Sequence, residues 1–377
     1  MKRIVIINPF SSYKIRQDFF LKYYHDKGYT VKIITTDYNH LQKKTVDNKD
    51  FSYTYIKTIP YSKNLSLKRL VSHVKFAKNV VSSLDYEEYD LIHCIFPPNI
   101  LVKLIAKDAK KKNIPVIFDV MDMWPESLPI IKFKNNVLFS FWKNLRNKHI
   151  DTSKLVITEC DLFKNSIKSI NHNLNVSTIY LHKSELVEIS PINKSVKDKI
   201  VLTYLGSVNN LIDIQDIVKL IIGISKYKPV VIQIIGGGEK LDKLSDQLKD
   251  KNIEVIITGF VFDQNEIKEY FSKTHFGINL MKSSVFVGMT MKSIDYFRHS
   301  IPIISNIVSD TSNLINEYSC GFNISNKNIQ NVINEIGLLN DNEYNKMVCN
   351  VRQMFIEQLS YERLTSKMDS CLKKLIN

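Results

Sequence analysis

The feature that most constrains this chain is a repeated alternation of a short apolar run, a break of small or polar residues, and a stretch with helical spacing. RIVIIN (3–8) ends at Pro9, with Ser11 and Ser12 behind it, and a helix closed by Gly28 leads to VKIITTD (31–37). Strand, helix, strand at this spacing is a βαβ unit, and its strands lie parallel in one sheet. FSYTYIKTIP (51–60) alternates with period two and reads as a third strand. YDLIHCIFPPN (89–99), PVIFDVMDMW (115–124), KLVITEC (154–160) and VSTIYLH (176–182) continue the series. Residues 183–199 are polar and aperiodic, which predicts a linker. The pattern then restarts with IVLTYLGSVNN (200–210), VVIQIIGGGEK (230–240), IEVIITGFV (253–261), FGINLM (276–281) and IPIIS (301–305). The fold class implied is α/β, as two Rossmann-like, doubly wound parallel-sheet domains facing each other across a cleft. Their limits are read as 1–185 and 200–342, with 343–377 helical.

Two domains also suit the length, since 377 residues exceed what one core usually supports. At 44% apolar and 24% charged, the composition excludes a disordered chain. No uncharged apolar run approaches the roughly 18 residues of a membrane span. MKRIVIINPF is too short in its apolar part for a signal and has no small-residue cleavage site, so it reads as a first strand of a cytoplasmic protein. Cys94, Cys160, Cys320, Cys349 and Cys371 are scattered and odd in number, which predicts buried thiols rather than disulfides or a zinc site.

The net charge of +14 could draw nucleic acid, anionic lipid or an anionic substrate. Nucleic acid is disfavoured, because the basic residues are spread over both halves and no recognition motif appears. Residues 62–85 form a basic helix with Leu67, Leu70, Val71, Val74 and Ala77 on one face. That face is expected to turn to the core, and the alternative is an anionic membrane surface. VLFSFWKNLRNKH (137–149) is a second apolar and basic helix that could pack on the domain or touch lipid.

Candidate site residues follow from position. Ligands of open parallel sheets bind outside the carboxyl ends of the strands, where His93, Asp119 and Asp122 are expected. IIGGGEK has neither a dinucleotide fingerprint nor a P-loop, but its glycines let backbone come close to a ligand. In FVGMTMKSIDYFRHSIPIISN (286–306), Gly288 precedes a helix carrying Lys292 and Asp295 three residues apart. A helix starting there favours an anionic ligand.

LIHCIFPPN with PVIFDVMDMWPESL, VLTYLGSVNN, and IIGGGEK through GFV to GMTMKSIDYFRHSIPIIS together resemble the retaining glycosyltransferases of the GT-B fold, family 4. The likeness covers nearly the whole chain. Its most specific piece, D-x-x-D-x-W-P-E-S, looks like the branch that builds bacterial surface polysaccharides such as capsule and exopolysaccharide. The resemblance implies C-terminal helices that return to the first domain and a nucleotide sugar in the second. Gly206, Ser207 and Asn209 would lie at its diphosphate, while Gly236, Gly237, Gly238, Gly259, Phe260 and Val261 would border the nucleobase. Gly288 and Met289 would adjoin it, Lys292 would neutralise the leaving diphosphate, and Asp295 would hydrogen-bond the ribose.

Asp122 and His93 would orient the acceptor or the donor sugar, with Ser11, Ser12, Asp119, Trp124 and Glu126 on the acceptor side. No metal ion or other cofactor is implied. The acceptor would be a growing lipid-linked glycan, and the protein would be cytoplasmic, peripheral at the inner face of the plasma membrane. Departures from the family pattern are Val287, where many members have Glu, the shorter Asp295, the segment SVNNLID without its Arg and Lys, and Met121 in place of a His. They keep two alternatives open: a catalytically weak partner subunit of the same fold that binds a glycan or another transferase, and a sugar-nucleotide epimerase.

Overall fold

The structure is a computed structural model and describes residues 2–46, 50, 52–64, 66–128, 136–187, 194–249 and 252–376. The chain divides into two compact units, one comprising Met1–His182 with Leu364–Asn377 and the other Lys183–Arg363. Among the described residues no helix is long and apolar enough to cross a membrane.

In chain order the first unit holds β1 (Arg3–Asn8), α1 (Lys14–Asp26), β2 (Thr30–Thr36), β3 (Tyr38–Asn39), β4 (Lys44–Thr45), β5 (Tyr53–Ile56), α2 (Leu67–Ser83), β6 (Leu91–Phe96), α3 (Asn99–Lys112), β7 (Val116–Val120), α4 (Val137–Asn147), β8 (Leu155–Thr158), α5 (Asp161–Lys168) and β9 (Val176–Thr178). Its main sheet runs β5-β2-β1-β6-β7-β8-β9, every pair parallel. The chain winds outward from β1 through β2 to β5, then crosses to β6 and winds the other way. The carboxyl ends of β1 and β6 therefore flank a topological switch point. Val5, Ile6, Ile7, Ile92, Cys94 and Phe118 are fully buried, as expected for strands covered on both faces by helices.

The second unit repeats the plan with β10 (Ile200–Leu205), α6 (Ile214–Ser225), β11 (Val230–Ile235), α7 (Leu241–Asp246), β12 (Ile253–Gly259), α8 (Gln264–Lys273), β13 (Phe276–Asn279), α9 (Met291–Arg298), β14 (Ile303–Ser305), α10 (Asp310–Tyr318), β15 (Gly321–Asn323), α11 (Ile329–Leu338) and α12 (Asp341–Gln358). Its sheet order is β12-β11-β10-β13-β14-β15, all parallel, so its switch point lies between β10 and β13. Ile217, Leu220 and Ile224 of α6 and Ile333 and Ile336 of α11 pack on Leu202, Tyr204, Ile232 and Ile278. The last helix, α13 (Tyr361–Ile376), enters the first unit from Leu364 onward.

The structure corrects several expectations. The strand read at 51–60 is only Tyr53–Ile56, and the helix read at 62–85 is Leu67–Ser83. Most of the apolar face assigned to that helix points outward: Leu67, Leu70, Val71 and Val74 are exposed, and Ala77 of that face is buried. The buried side of α2 is Ser72, His73, Phe76, Ala77 and Val80. Both sides fit helical periodicity, and the side carrying Phe76 and Ala77 is the one that meets the sheet.

The segment 183–199 is not a free linker where it is described. Val187 N–H donates to the Arg298 carbonyl, the Lys194 ammonium donates to the carbonyls of Phe271 and Thr274, and Val196 is fully buried. Residues 188–193 of that segment, like Pro129 of the WPESLP turn, lie outside the described residues. Four of the five cysteines are buried thiols, whereas Cys349 is exposed.

Candidate functional site

In the second unit, the loops after β10 and β11 interlock through their backbones. Gly206 N–H donates to the Ile235 carbonyl at 2.9 Å, and Val208 N–H donates to that of Gly237 at 2.8 Å. A Cβ on Gly236 would sit 2.0 Å from the Gly206 carbonyl oxygen, and one on Gly238 would sit 2.5 Å from that of Val208. Gly236 and Gly238 are thus required by loop-to-loop contact, and there the loops meet backbone to backbone. Ser207 and Gly238 stay exposed beside them. After β12, Phe260 is exposed and stacks with the exposed Phe262, and Val261 lies half-buried between them.

Helix α9 follows the Gly288 loop, which is fixed from behind. Gly288 carbonyl accepts from the N–H and the hydroxyl of Thr311, and both Gly288 and Met289 are buried. Thr290 caps α9 by accepting from Ser293 N–H at 3.2 Å, and Asn279 at the end of β13 donates to the hydroxyls of Thr290 and Ser293 at 2.7 Å each. The Tyr296 hydroxyl donates to Thr203 carbonyl and accepts from Leu205 N–H, tying α9 to the end of β10.

Lys292 and Asp295 do not pair with each other. The Lys292 ammonium lies 4.2 Å above the centre of the Tyr204 ring and 3.1 Å from its hydroxyl, which in turn donates to the Ser207 carbonyl. Desolvation lowers its pKa to about 8. The Asp295 carboxylate is gripped by Lys183, both oxygens at 2.7 Å, with Arg298 3.7 Å away. Burial raises its pKa, opposed by Lys183 and Arg298. At 7% exposure Asp295 presents little open surface to a ribose in this structure. Lys183, Tyr204 and Arg298 were not among the expected site residues. Lys183 sits in a segment with no periodicity, so only the fold brings it to Asp295.

In the first unit the structure overturns two expectations. His93 lies inside β6 rather than at its end, and both His93 and Asp119 are 0% exposed. Arg16 of α1, also fully buried, holds Asp119 with two bonds of 2.8 Å and donates to the carbonyls of Ile179 and Tyr180. Burial would raise the Asp119 pKa, but the Arg16 guanidinium overrides it and holds the carboxyl below its usual range. The Tyr24 hydroxyl is 2.8 Å from His93 Nδ1, and burial lowers the imidazole pKa. These residues bind α1 to the sheet and present no open surface in this structure.

The rest of the D-x-x-D-x-W-P-E-S segment is a loop that bonds to itself and to α4. The Trp124 indole donates to Asp122 at 2.7 Å, the Ser127 hydroxyl donates to the same carboxylate, and burial raises its pKa against those bonds. Glu126 accepts from Arg146 at 2.6 and 3.2 Å, and Arg146 is the buried side chain of α4. Ser11 and Ser12 occupy the turn between β1 and α1, with the Ser11 hydroxyl buried and unpartnered. Asp122 thus keeps a half-buried place near Tyr13 and Arg69, whereas Glu126 serves as an anchor.

The Glycosyl transferases group 1 family model matches residues 199–342. No curated protein matches the chain. Among solved structures, sucrose-phosphate synthase from Thermosynechococcus elongatus is similar at 12% identity and a TM-score of 0.71, covering 100% of this chain and 99% of that one. The lipopolysaccharide outer core galactosyltransferase WaaB is similar at 15% identity and a TM-score of 0.69, with 100% of both chains covered. The Anabaena protein HepE in complex with UDP and glucose is similar at 12% identity and a TM-score of 0.64, covering 99% of this chain and 100% of that one. At these identities the likeness fixes the architecture: the chain has the two-sheet GT-B fold, and its second unit matches the group 1 glycosyl transferases over residues 199–342.

Proposed function

We propose that the protein is a retaining glycosyltransferase that moves a hexosyl or aminohexosyl unit from a nucleotide sugar to a lipid-linked surface-polysaccharide acceptor. The observation that carries this reading is the Lys292 ammonium, seated on Tyr204 at the switch point of the second sheet beside loops that expose backbone. A desolvated cation that has no carboxylate partner among the described residues suits a diphosphate, whose developing charge it stabilises as the bond to the sugar breaks. The group 1 family match over residues 199–342 supports a sugar-nucleotide donor there, as do similar structures described as complexes with UDP-glucose and with UDP and glucose.

In this reading the acceptor attacks the face the donor leaves, and the diphosphate oxygen takes the acceptor proton. No strong protein base is needed, and Lys292 rather than a metal ion balances the leaving group. Asp295 accepts from the ribose hydroxyls once Lys183 shares or yields its carboxylate. The exposed Leu67, Val71 and Val74 beside Lys68, Lys75 and Lys78 on α2 support a peripheral seat on the inner, anionic membrane face.

The test is transfer or hydrolysis from UDP-, GDP- and dTDP-sugars by wild type and Asp295→Ala, with and without EDTA, reading the product anomer by NMR. We expect one donor to be used with retention in EDTA, and its KM to rise about tenfold in the variant, the loss of a charge-assisted contact. Unchanged turnover in Asp295→Ala removes that residue from the donor site.

One observation favours a second reading, a catalytically weak partner subunit: the Asp295 carboxylate is already occupied by Lys183. That reading requires calorimetry to detect no nucleotide-sugar binding at all.

A further inference from the structure

The D-x-x-D-x-W-P-E-S loop is the most specific stretch of the sequence, yet its carboxylates are spent internally on Arg16, Trp124, Ser127 and Arg146. What those bonds build is a groove in the first unit of about 260 Å³, walled by Leu67, Arg69, Leu70, His73, Trp124 and Trp142. Asn99, at the start of α3, donates to the backbone carbonyls of both Trp124 and Trp142 and ties the two backbones together. The indole rings meet edge to face at 6.1 Å.

The mouth of this groove is apolar and open to solvent. Leu67 is 81% exposed and Leu70 is 40% exposed, and on α4, which supplies Trp142, the side chains of Val137, Leu138 and Phe141 are exposed as well. The inner end is cationic. The Arg69 guanidinium lies 4.8 Å from the Trp124 ring centre and donates to the Asn64 carbonyl at 2.7 Å, while its Nε is buried without a partner. Asp122, the carboxylate whose field it feels, is already bonded to Trp124 and Ser127. His73 is 6% exposed, lines the same groove, and leaves Nε2 unpartnered. Burial drives its pKa down to about 3, so it adds a neutral hydrogen-bonding nitrogen rather than a second charge. The amino end of α2, capped by Ser66, opens on the same place and adds its positive dipole.

We propose that this groove binds a single-chain lipid phosphate, with the hydrocarbon along Leu67, Leu70 and the two indoles and the phosphate on Arg69 and His73. The lining is mostly apolar and the volume suits one chain, while an aromatic-stacked guanidinium that forms no ion pair among the described residues is matched by phosphate geometry. The proposal rests on the acceptor half of the function above and places the non-sugar part of that acceptor on named residues.

Trp124 and Trp142 are the only tryptophans of the sequence and both line the groove, so selectively excited tryptophan emission of the full chain comes from this groove. The experiment titrates the protein with farnesyl monophosphate, farnesol, inorganic phosphate and a soluble two-chain phosphatidate, each below its aggregation concentration. Farnesyl phosphate is expected to give a saturable change, farnesol and phosphatidate to bind at least about tenfold more weakly, and inorganic phosphate to give none. Arg69→Gln should bring farnesyl phosphate down to the affinity of farnesol without moving farnesol itself, and Leu70→Glu, on the exposed rim, should weaken both.

The proposal is overturned by no saturable change with farnesyl phosphate, by equal affinity for farnesol, or by equal affinity for phosphatidate. UDP-sugar binding measured by calorimetry on the same samples separates the two ideas. Nucleotide binding without a farnesyl phosphate response sinks the groove alone, and the converse sinks the glycosyltransferase reading alone.

Discussion

Lys292 sets the charge of the donor site, and its protonation is the residue-scale quantity open to measurement. Among the described residues its ammonium meets a ring face and a hydroxyl, and desolvation brings its pKa to about 8. The group is charged below that value and neutral above it, so binding of a free diphosphate donor weakens as pH rises through about 8. The alkaline limb of kcat/KM is therefore expected to fall near pH 8. Lys292→Met should lower kcat about a hundredfold at neutral pH and abolish that limb, as expected for removing one charge stabiliser. Lys292→Arg should move the limb out of range, because a guanidinium does not deprotonate. A limb that stays at the same pH in Lys292→Arg would assign it to another group. Lys292 could be named from the sequence, but its setting could not. Tyr204 reaches it from β10, 88 positions earlier, and the pairs Arg16–Asp119 and Lys183–Asp295 join residues 103 and 112 positions apart. Such partners leave no local spacing to read.

At the scale of elements, the interlocked turns after β10 and β11 make a sharp prediction within three consecutive glycines. Gly236 has φ +153° and faces the Gly206 carbonyl oxygen, so Gly236→Ala must push the two turns apart. It is expected to cost about 1–3 kcal/mol and to abolish nucleotide binding in calorimetry. Gly237 meets only the ring of the exposed Phe260, which can swing away, so Gly237→Ala should keep nearly full affinity. Equal losses in the two variants would mean that the turns do not shape the site. Strands were legible at this scale because runs such as IVII of β1 and VVIQII of β11 are buried on both faces and, Gln233 apart, apolar. Helix orientation was not. The outer face of α2 carries Leu67, Leu70, Val71 and Val74 at helical spacing, as convincing in sequence as the inner face with Phe76, Ala77 and Val80. A period reports that a helix has an apolar side, and only packing decides which side is covered. The same holds for the Asp and Glu of the WPES loop, whose residue types suggest chemistry and whose bonds make a scaffold.

At the scale of the whole molecule, the two units differ in how the chain builds them. The second is one continuous stretch, Lys183–Arg363, while the first joins Met1–His182 with the returning Leu364–Asn377. That return is anchored by Asp369, which accepts from the Tyr23 hydroxyl at 2.8 Å and pairs with Lys27 at 2.7 Å. Leu364 and Met368 are fully buried and Leu372 nearly so. Ending the chain after Arg363 removes those three side chains, an effect on the order of 5 kcal/mol from apolar burial alone. The Lys27–Asp369 pair adds little, since both partners are about half exposed to water. Both tryptophans lie in the first unit, so urea unfolding followed by tryptophan fluorescence reads that unit alone. The truncated chain is expected to unfold at markedly lower urea by fluorescence, while calorimetric binding of the nucleotide sugar, which draws on the second unit, keeps its affinity. A fluorescence midpoint equal to that of the full chain would show that α13 contributes nothing to the first unit. Loss of nucleotide binding together with the lowered midpoint would show that the second unit does not hold its site without the first.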